Sequence, residues 1–334
     1  MSAPQPLTGS IAASTALKWL RAYHRESGMP DAVDLDILRQ MLPTTPYGKD
    51  VREIKAPMAL DVDSCEGMLV RNPNDIAEWG IFYNGKASPE RRRFTIAHEL
   101  GHFILHRGQQ QSFNCDKESV YSGIDTIRAI EREADDFASN LLMPGDLLRE
   151  WISNRRIDLH VLSAIAKRFQ VSFEALCIRF IKFTTQPAIL VYWDNGYVKY
   201  EWRSSSAVKT RARIRRNGDP AEPLPGTLAA DASVDQEWDG TEMSAAIWCP
   251  EEAQHMKLRE FKHSYGARDR VLTLLLLESA EPRSWDRSWQ DEDGVDSHDQ
   301  FNFDRTVSHS VTGKVRSLQA LTGDRGWPEA STRL

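Results

Sequence analysis

Apolar residues recur at helical spacing in two early stretches, 11–27 and 33–42. Ala16, Leu17 and Leu20 carry that spacing in the first, and Leu35, Ile37, Leu38 and Leu42 in the second. Pro43 and Pro46 end the second stretch. Three short apolar runs follow, APMALDV, EGMLVRN and EWGIFYN, set off by turn-rich DSC, NPND and NGKAS, and they predict strands. The period then returns to that of a helix. Ser88 suits an N-cap and Pro89 a first turn, so a helix is predicted through RRRFTIAHELGHFILHR, stopping near Gly108. Gln109–Gly123 is polar and irregular. A further helix is predicted from about Asp125 to Met143, ended by Pro144-Gly145, and shorter helices over 146–183, including LHVLSAIAKRF and SFEALCIRFIKF.

After Pro187 the pattern is that of strands: AILVYW, GYVKYEW, SAAIWC, MKLREFKH and VLTLLLL. Residues 217–240 are rich in Pro, Gly, Ala and Asp and predict a long loop. From about residue 281 the chain is polar, which predicts a weakly ordered tail with one late helix near 311–321. The expected fold class is α+β. A helical extension covers 1–29, a small antiparallel sheet with helices 30–185, a β-rich second domain with a sensory or docking role 186–280, and the polar tail 281–334.

Composition narrows this picture. With 41% hydrophobic and 27% charged residues, the 334-residue chain reads as a soluble globular protein. A net charge of −6 argues against general affinity for nucleic acid or anionic membrane. Cys65, Cys115, Cys177 and Cys249 lie far apart, as expected for reduced thiols. The first twenty residues lack the features of a signal peptide, and Val271–Leu277 is too short to span a bilayer. A cytoplasmic location without a membrane partner is therefore expected.

The candidate chemistry lies in His98-Glu99-Leu100-Gly101-His102, an HExxH pattern. Residues four apart on a helix project the same way, so two neutral imidazoles can reach one zinc ion. Glu99 is offset around the helix and can address water as a general base. Apolar residues surround this helix on most sides, and burying two His and a Glu on it without partners would be costly. The bland alternative is a pair of core histidines bonded to backbone. The metzincin extension is excluded, because Leu105 and Gly108 stand where its glycine and third histidine belong. His106 lies one turn beyond His102. A straight helix does not easily bring three such residues to one ion, so His106 reads as structural.

A third ligand is expected from IRAIEREADDFASNLLMP. On a helical wheel Glu131 lies nearest the apolar face, Glu133 and Asp135 lie farther round on opposite sides, and Asp136 points away. Glu131 is thus the acid best placed to enter the interior, with a solvated surface charge as its alternative. Asp135, one turn on, can orient a ligand imidazole.

These residues carry a resemblance. ERRRFTIAHELGHFILH, followed some thirty residues on by EREADDFASNLLMP and preceded by EGMLVRN and EWGIFYN, resembles the ImmA/IrrE family of zinc metallopeptidases over roughly residues 30–182. The resemblance implies a zincin-like domain with Zn2+ on His98, His102 and the first Glu of the second motif, here Glu131. Asp135 stands where Asn is more frequent. It further implies a protein substrate: some members cleave a Cro-like helix-turn-helix repressor encoded nearby, in stress responses, mobile elements or toxin–antitoxin pairs. Such peptidases often hold substrate as an added strand, and Trp79–Asn84 is the candidate edge.

Two rivals come from other classes. Residues 159–180 have the length and spacing of a helix-turn-helix, which suits a DNA-binding regulator with a structural zinc. Gln170-Val171 replaces the usual glycine turn, however, and Arg179 and Lys182 stand among few basic groups, so packing beneath the metal site is the stronger reading. The alternating basic run Lys209, Arg211, Arg213, Arg215 and Arg216 reads as a solvated edge strand or as a docking site for nucleic acid or an acidic partner. The other rival is a toxin with non-proteolytic action. The ten tryptophans, many after residue 190, suit either a packed β domain or a recognition surface.

Overall fold

Two five-stranded sheets organise the described residues of the computed structural model. These residues are 7–277, without 62–64, 117–124, 154, 211, 217, 219, 251–255 and 267–268. The late helix expected near 311–321 and the polar tail lie outside them. The fold is α+β. Two compact units divide within one helix: Asp36–Ala134 belongs to one, Met1–Leu35 and Asp135–Phe301 to the other, as far as their residues are described.

In chain order the elements begin with α1 (Gly9–Tyr23), capped by the Thr8 hydroxyl, and α2 (Leu35–Met41), which passes into a 3-10 turn at Pro43. The first unit then forms β1 (Glu53–Ile54), β2 (Met58–Leu60), β3 (Cys65–Arg71), β4 (Glu78–Asn84), α3 (Pro89–Leu105) and β5 (Ser112–Asp116), and it ends within α4 (Asp125–Leu142). Antiparallel β4, β3 and β5 make the body of the sheet, and β1 and β2 add in parallel to the other side of β4. Trp79–Asn84 is thus hydrogen-bonded on both sides and is not the expected edge. The reason is local: APMALDV supplies the parallel partner that closes it. The edge beside β3 is β5, in the stretch read as irregular. Only Phe113 and Cys115 are apolar there, too few to signal a strand without its neighbour.

The pleat assigns the two faces of this sheet. Leu69 pairs with Ile81 and with Phe113, on the face that meets α3. Trp79 packs edge-on against Phe103 of α3, with ring centroids 5.9 Å apart. Met68, Val70 and Phe82 form a separate small cluster with Met58 and Leu60 on the other face. The start of α3 is fixed as its sequence predicts: the Ser88 hydroxyl accepts from the Arg91 N–H at 3.2 Å, and Pro89 opens the first turn.

The second unit contains α1, α5 (Gly145–Ile152), α6 (Leu159–Phe169), α7 (Phe173–Phe183), β6 (Ala188–Asp194), β7 (Tyr197–Arg203), α8 (Ser205–Lys209), β8 (Gln236–Ser244), β9 (Lys257–Ser264) and β10 (Arg270–Leu276). Its sheet is antiparallel in the order β7-β6-β10-β9-β8. SAAIWC forms no strand: Ala245–Ile247 is a 3-10 turn held by the Ser244 hydroxyl. The strand there is β8, whose polar sequence and irregular register between Glu237 and Thr241 hid its alternation. Gly240 within that irregularity has φ +87°, and a Cβ would stand 2.5 Å from the Phe261 ring. Trp193, Trp202 and Trp248 are buried, so these three tryptophans belong to packing.

Candidate metal centre

Helix α3 carries His98, Glu99 and His102 on its buried side, and α4 brings Glu131 to the same point. The Nε2 atoms of His98 and His102 lie 2.9 Å apart. Glu131 Oε2 is 3.3 Å from His98 Nε2, and Oε1 is 3.4 Å from His102 Nε2. A tetrahedral ion with bonds of about 2.0–2.1 Å would place its ligand atoms roughly 3.3 Å apart. Two imidazole nitrogens and the two oxygens of one carboxylate, gathered at 2.9–3.4 Å on one buried point, suit a shared cation. On this observation the residues fit a metal ion.

The electrostatics agree. Burial pushes the His102 imidazole down to about 4, and the neighbouring His98 adds to the shift. Burial alone would raise the Glu131 carboxyl, but hydrogen bonding and charge from His102 and His98 outweigh it and hold it well below the usual range. A neutral imidazole and an ionised carboxylate are the protonation states that ligation requires.

The surroundings position these groups. The Phe113 ring of β5 stacks on His102, with centroids 4.8 Å apart and planes at 16°. Gly67 of β3 lies beneath α3: a Cβ there would stand 2.3 Å from Thr95 Cγ2 and 2.6 Å from Glu99 Oε1. The sheet thus leaves room for the Glu99 carboxylate only because residue 67 has no side chain. Asp135 is fully buried on α4, one turn beyond Glu131.

Residues 58–180 match the family model of the IrrE N-terminal-like domain, Peptidase_M78. Over those residues the chain is similar to that domain. Two curated proteins, each called radiation response metalloprotease IrrE, are similar over 109 residues. That of Deinococcus radiodurans is 33% identical, over 33% of this chain and 33% of its own length. That of Deinococcus deserti is 30% identical, over 33% of this chain and 38% of its own. The chain therefore spans about a third of the length of the curated relatives it matches. Among solved structures, a Mycobacterium tuberculosis transcriptional regulator aligns over 82% of this chain and 81% of that chain, at 16% identity and a TM-score of 0.43.

Within the IrrE-like segment, α6 and α7 bury Leu162, Ile165, Phe169, Leu176 and Phe180. Arg179, one of the basic groups considered for reading DNA, is also buried. Its Nη2 donates to the Met143 carbonyl at 3.0 Å and to Asn140 Oδ1 at 2.8 Å. Burial draws its pKa down to about 10, so the guanidinium keeps its proton and stays inside. The helix-turn-helix reading thereby loses one of its few cations. Beyond this segment, Ala212 and Ile214 are buried while Arg213, Arg215 and Arg216 are exposed, but 212–216 belong to no strand. Arg211 lies outside the described residues. No helix among the described residues is long and apolar enough to cross a membrane.

The residues missed from sequence are Gly67, Phe113 and the pair His106 and Glu133. Phe113 and Gly67 carried no signal of their own, because each matters only through what the fold sets against it. His106 reads as structural from sequence, and Glu133 lies off the apolar face of its helix, so their pairing carries no sequence signal. Its carboxylate nevertheless reaches His106 Nε2 at 2.9 Å.

Proposed function

We propose that this chain is a zinc-dependent endopeptidase whose metal is held by His98, His102 and Glu131, with Glu99 as general base. The carrying observation is the convergence of two Nε2 atoms and one carboxylate, 2.9–3.4 Å apart, on one buried point. A bound zinc polarises a carbonyl and lowers the pKa of water toward about 7. His98, His102 and Glu131 would hold the ion from the protein side. Glu99 accepts the proton of the attacking water on its carboxylate and delivers it to the leaving amide nitrogen.

The substrate lies as an added strand along β5, the described edge of the sheet whose Phe113 touches His102. That places the peptide beside the ligands, which the interior strand β4 could not do. The substrate is a protein, and a Cro-like helix-turn-helix repressor or antitoxin encoded nearby is the candidate, in a stress, mobile-element or toxin–antitoxin response. The support is the family resemblance together with the similarity to two metalloproteases named for a radiation response.

The test is metal analysis of the purified chain followed by incubation with helix-turn-helix proteins encoded beside it. One of them should be cut by the wild type. Glu99→Gln should hold zinc at full stoichiometry and cut at least about 100-fold more slowly, the usual contribution of a general base. Undiminished cleavage by Glu99→Gln would overturn the base assignment.

A further inference from the structure

His106 follows His98 and His102 along α3 and stands at its C-terminus. It is 1% exposed, caps the helix, and takes no part in the ligand triangle. His102 Nδ1 lies 3.1 Å from His106 Nδ1, and His106 Nε2 lies 2.9 Å from Glu133 Oε2. We propose that His106 and Glu133 form a two-step hydrogen-bond relay that fixes the tautomer and ring plane of the ligand His102. His106 and Glu133 are then positioning residues, and the inference rests on the metal reading given above.

Proton counting gives the relay one direction. To ligate through Nε2, neutral His102 must carry its proton on Nδ1. That N–H faces His106 Nδ1, which must therefore offer a lone pair. The proton of His106 then sits on Nε2, where it donates to the Glu133 carboxylate. The opposite order would place the His102 proton on Nε2, blocking ligation, and would turn the lone pair of His106 Nε2 toward a carboxylate. Ligand competence of His102 and the tautomer of His106 are thus a single choice, and Glu133 biases it.

A ligand histidine usually donates its second N–H to a carboxylate, a carbonyl or water. Here an imidazole is interposed, and the carboxylate that ends the relay is 48% exposed. The architecture explains the arrangement. His102 and His106 are one turn apart on α3, and the His106 backbone N–H donates to the His102 carbonyl at 2.8 Å, which holds the two rings in step. Glu131 and Glu133 are two residues apart on α4, so one helix supplies both a ligand and the anchor of the relay.

The test uses the full chain loaded with zinc or Co2+, with affinity read by chelator competition. Nitrogen-15 spectra of the histidines report the tautomer. In the loaded wild type His106 should be protonated on Nε2 alone. His106→Phe should weaken zinc binding about 10- to 100-fold, the range for outer partners of ligand histidines, and shift the Co2+ absorption bands. Glu133→Gln, which keeps an acceptor but loses the charge, should weaken it less and in the same direction. A His106 protonated on Nδ1 overturns the proposal, as does folded His106→Phe that binds zinc within about twofold of wild type with unchanged Co2+ bands. If His106→Phe does not fold, the wild-type tautomer and Glu133→Gln decide. A wild type that takes up no metal overturns the metal reading itself, and does so before any variant is compared.

Discussion

The two units bury charge in opposite ways. In the second unit Glu260 is fully buried, yet its two oxygens receive the Ala229 N–H at 2.8 Å and the Trp248 indole N–H at 3.1 Å. Lys262 donates to the Asp231 carbonyl at 2.7 Å and Arg259 to the Ile157 carbonyl at 3.0 Å. Each of these hydrogen bonds is to a neutral dipole and pins a loop or strand. In the first unit the buried groups are aimed at one another: two imidazoles and a carboxylate share one point. Depth of burial does not separate the two cases, since Glu260 and His102 are equally inaccessible. The identity of the partner does. A buried charge that ends on backbone or indole is structural, and buried lone pairs that end on each other call for a cation.

The comparison breaks if one glutamate of each kind behaves like the other. Glu131→Ala should raise the zinc dissociation constant on the order of a thousandfold, beyond the 10–100-fold typical of outer partners, measured by chelator competition. Glu260→Ala should leave that constant unchanged. It should instead lower unfolding free energy by about 2–6 kcal/mol in denaturant, because two buried N–H donors lose their acceptor at about 1–3 kcal/mol each. A swap of these phenotypes would end the distinction.

Gly67→Ala sharpens it from the side of the sheet. The new Cβ crowds Thr95 and Glu99, and overpacking of about 1–3 kcal/mol is expected. If Glu99 takes up the strain, cleavage should fall about tenfold while zinc affinity is held, since a barrier of about 1.4 kcal/mol is one decade in rate. The smallest effect is one of pH. His102 has an ordinary value of 6.5 and about 4 in the fold, so the unfolded chain binds the extra proton between them. Stability of the metal-free chain should be fully present above about 6.5 and decline as pH falls toward about 4, in thermal melts. His102→Phe should flatten that decline.

Much of the arrangement was legible in the residues. The α3 start followed from Ser88 and Pro89, the facing of His98 and His102 from their four-residue spacing, and the burial of Glu131 from its place on the wheel. What escaped depended on contacts distant in sequence. β5 is a strand because Leu69 offers it a partner, and β4 lost its edge because Met58–Leu60 closes it. Glu133 looks outward on its own helix and is recruited only because His106 comes within reach from another. Periodicity reports which face of one element is apolar and is silent about which polar group across the gap will meet it.

The described edge strand β5 also bears on what such an enzyme would read. Its five residues offer roughly 17 Å of main chain at about 3.4 Å per residue. Recognition through amide and carbonyl groups selects an extended shape over particular side chains. A proline lacks the N–H needed in that stretch, and a residue locked in a folded helix cannot present it. Susceptible sites would then lie in segments that are already loose or can be loosened, and the stability of the victim would govern its lifetime as much as its sequence.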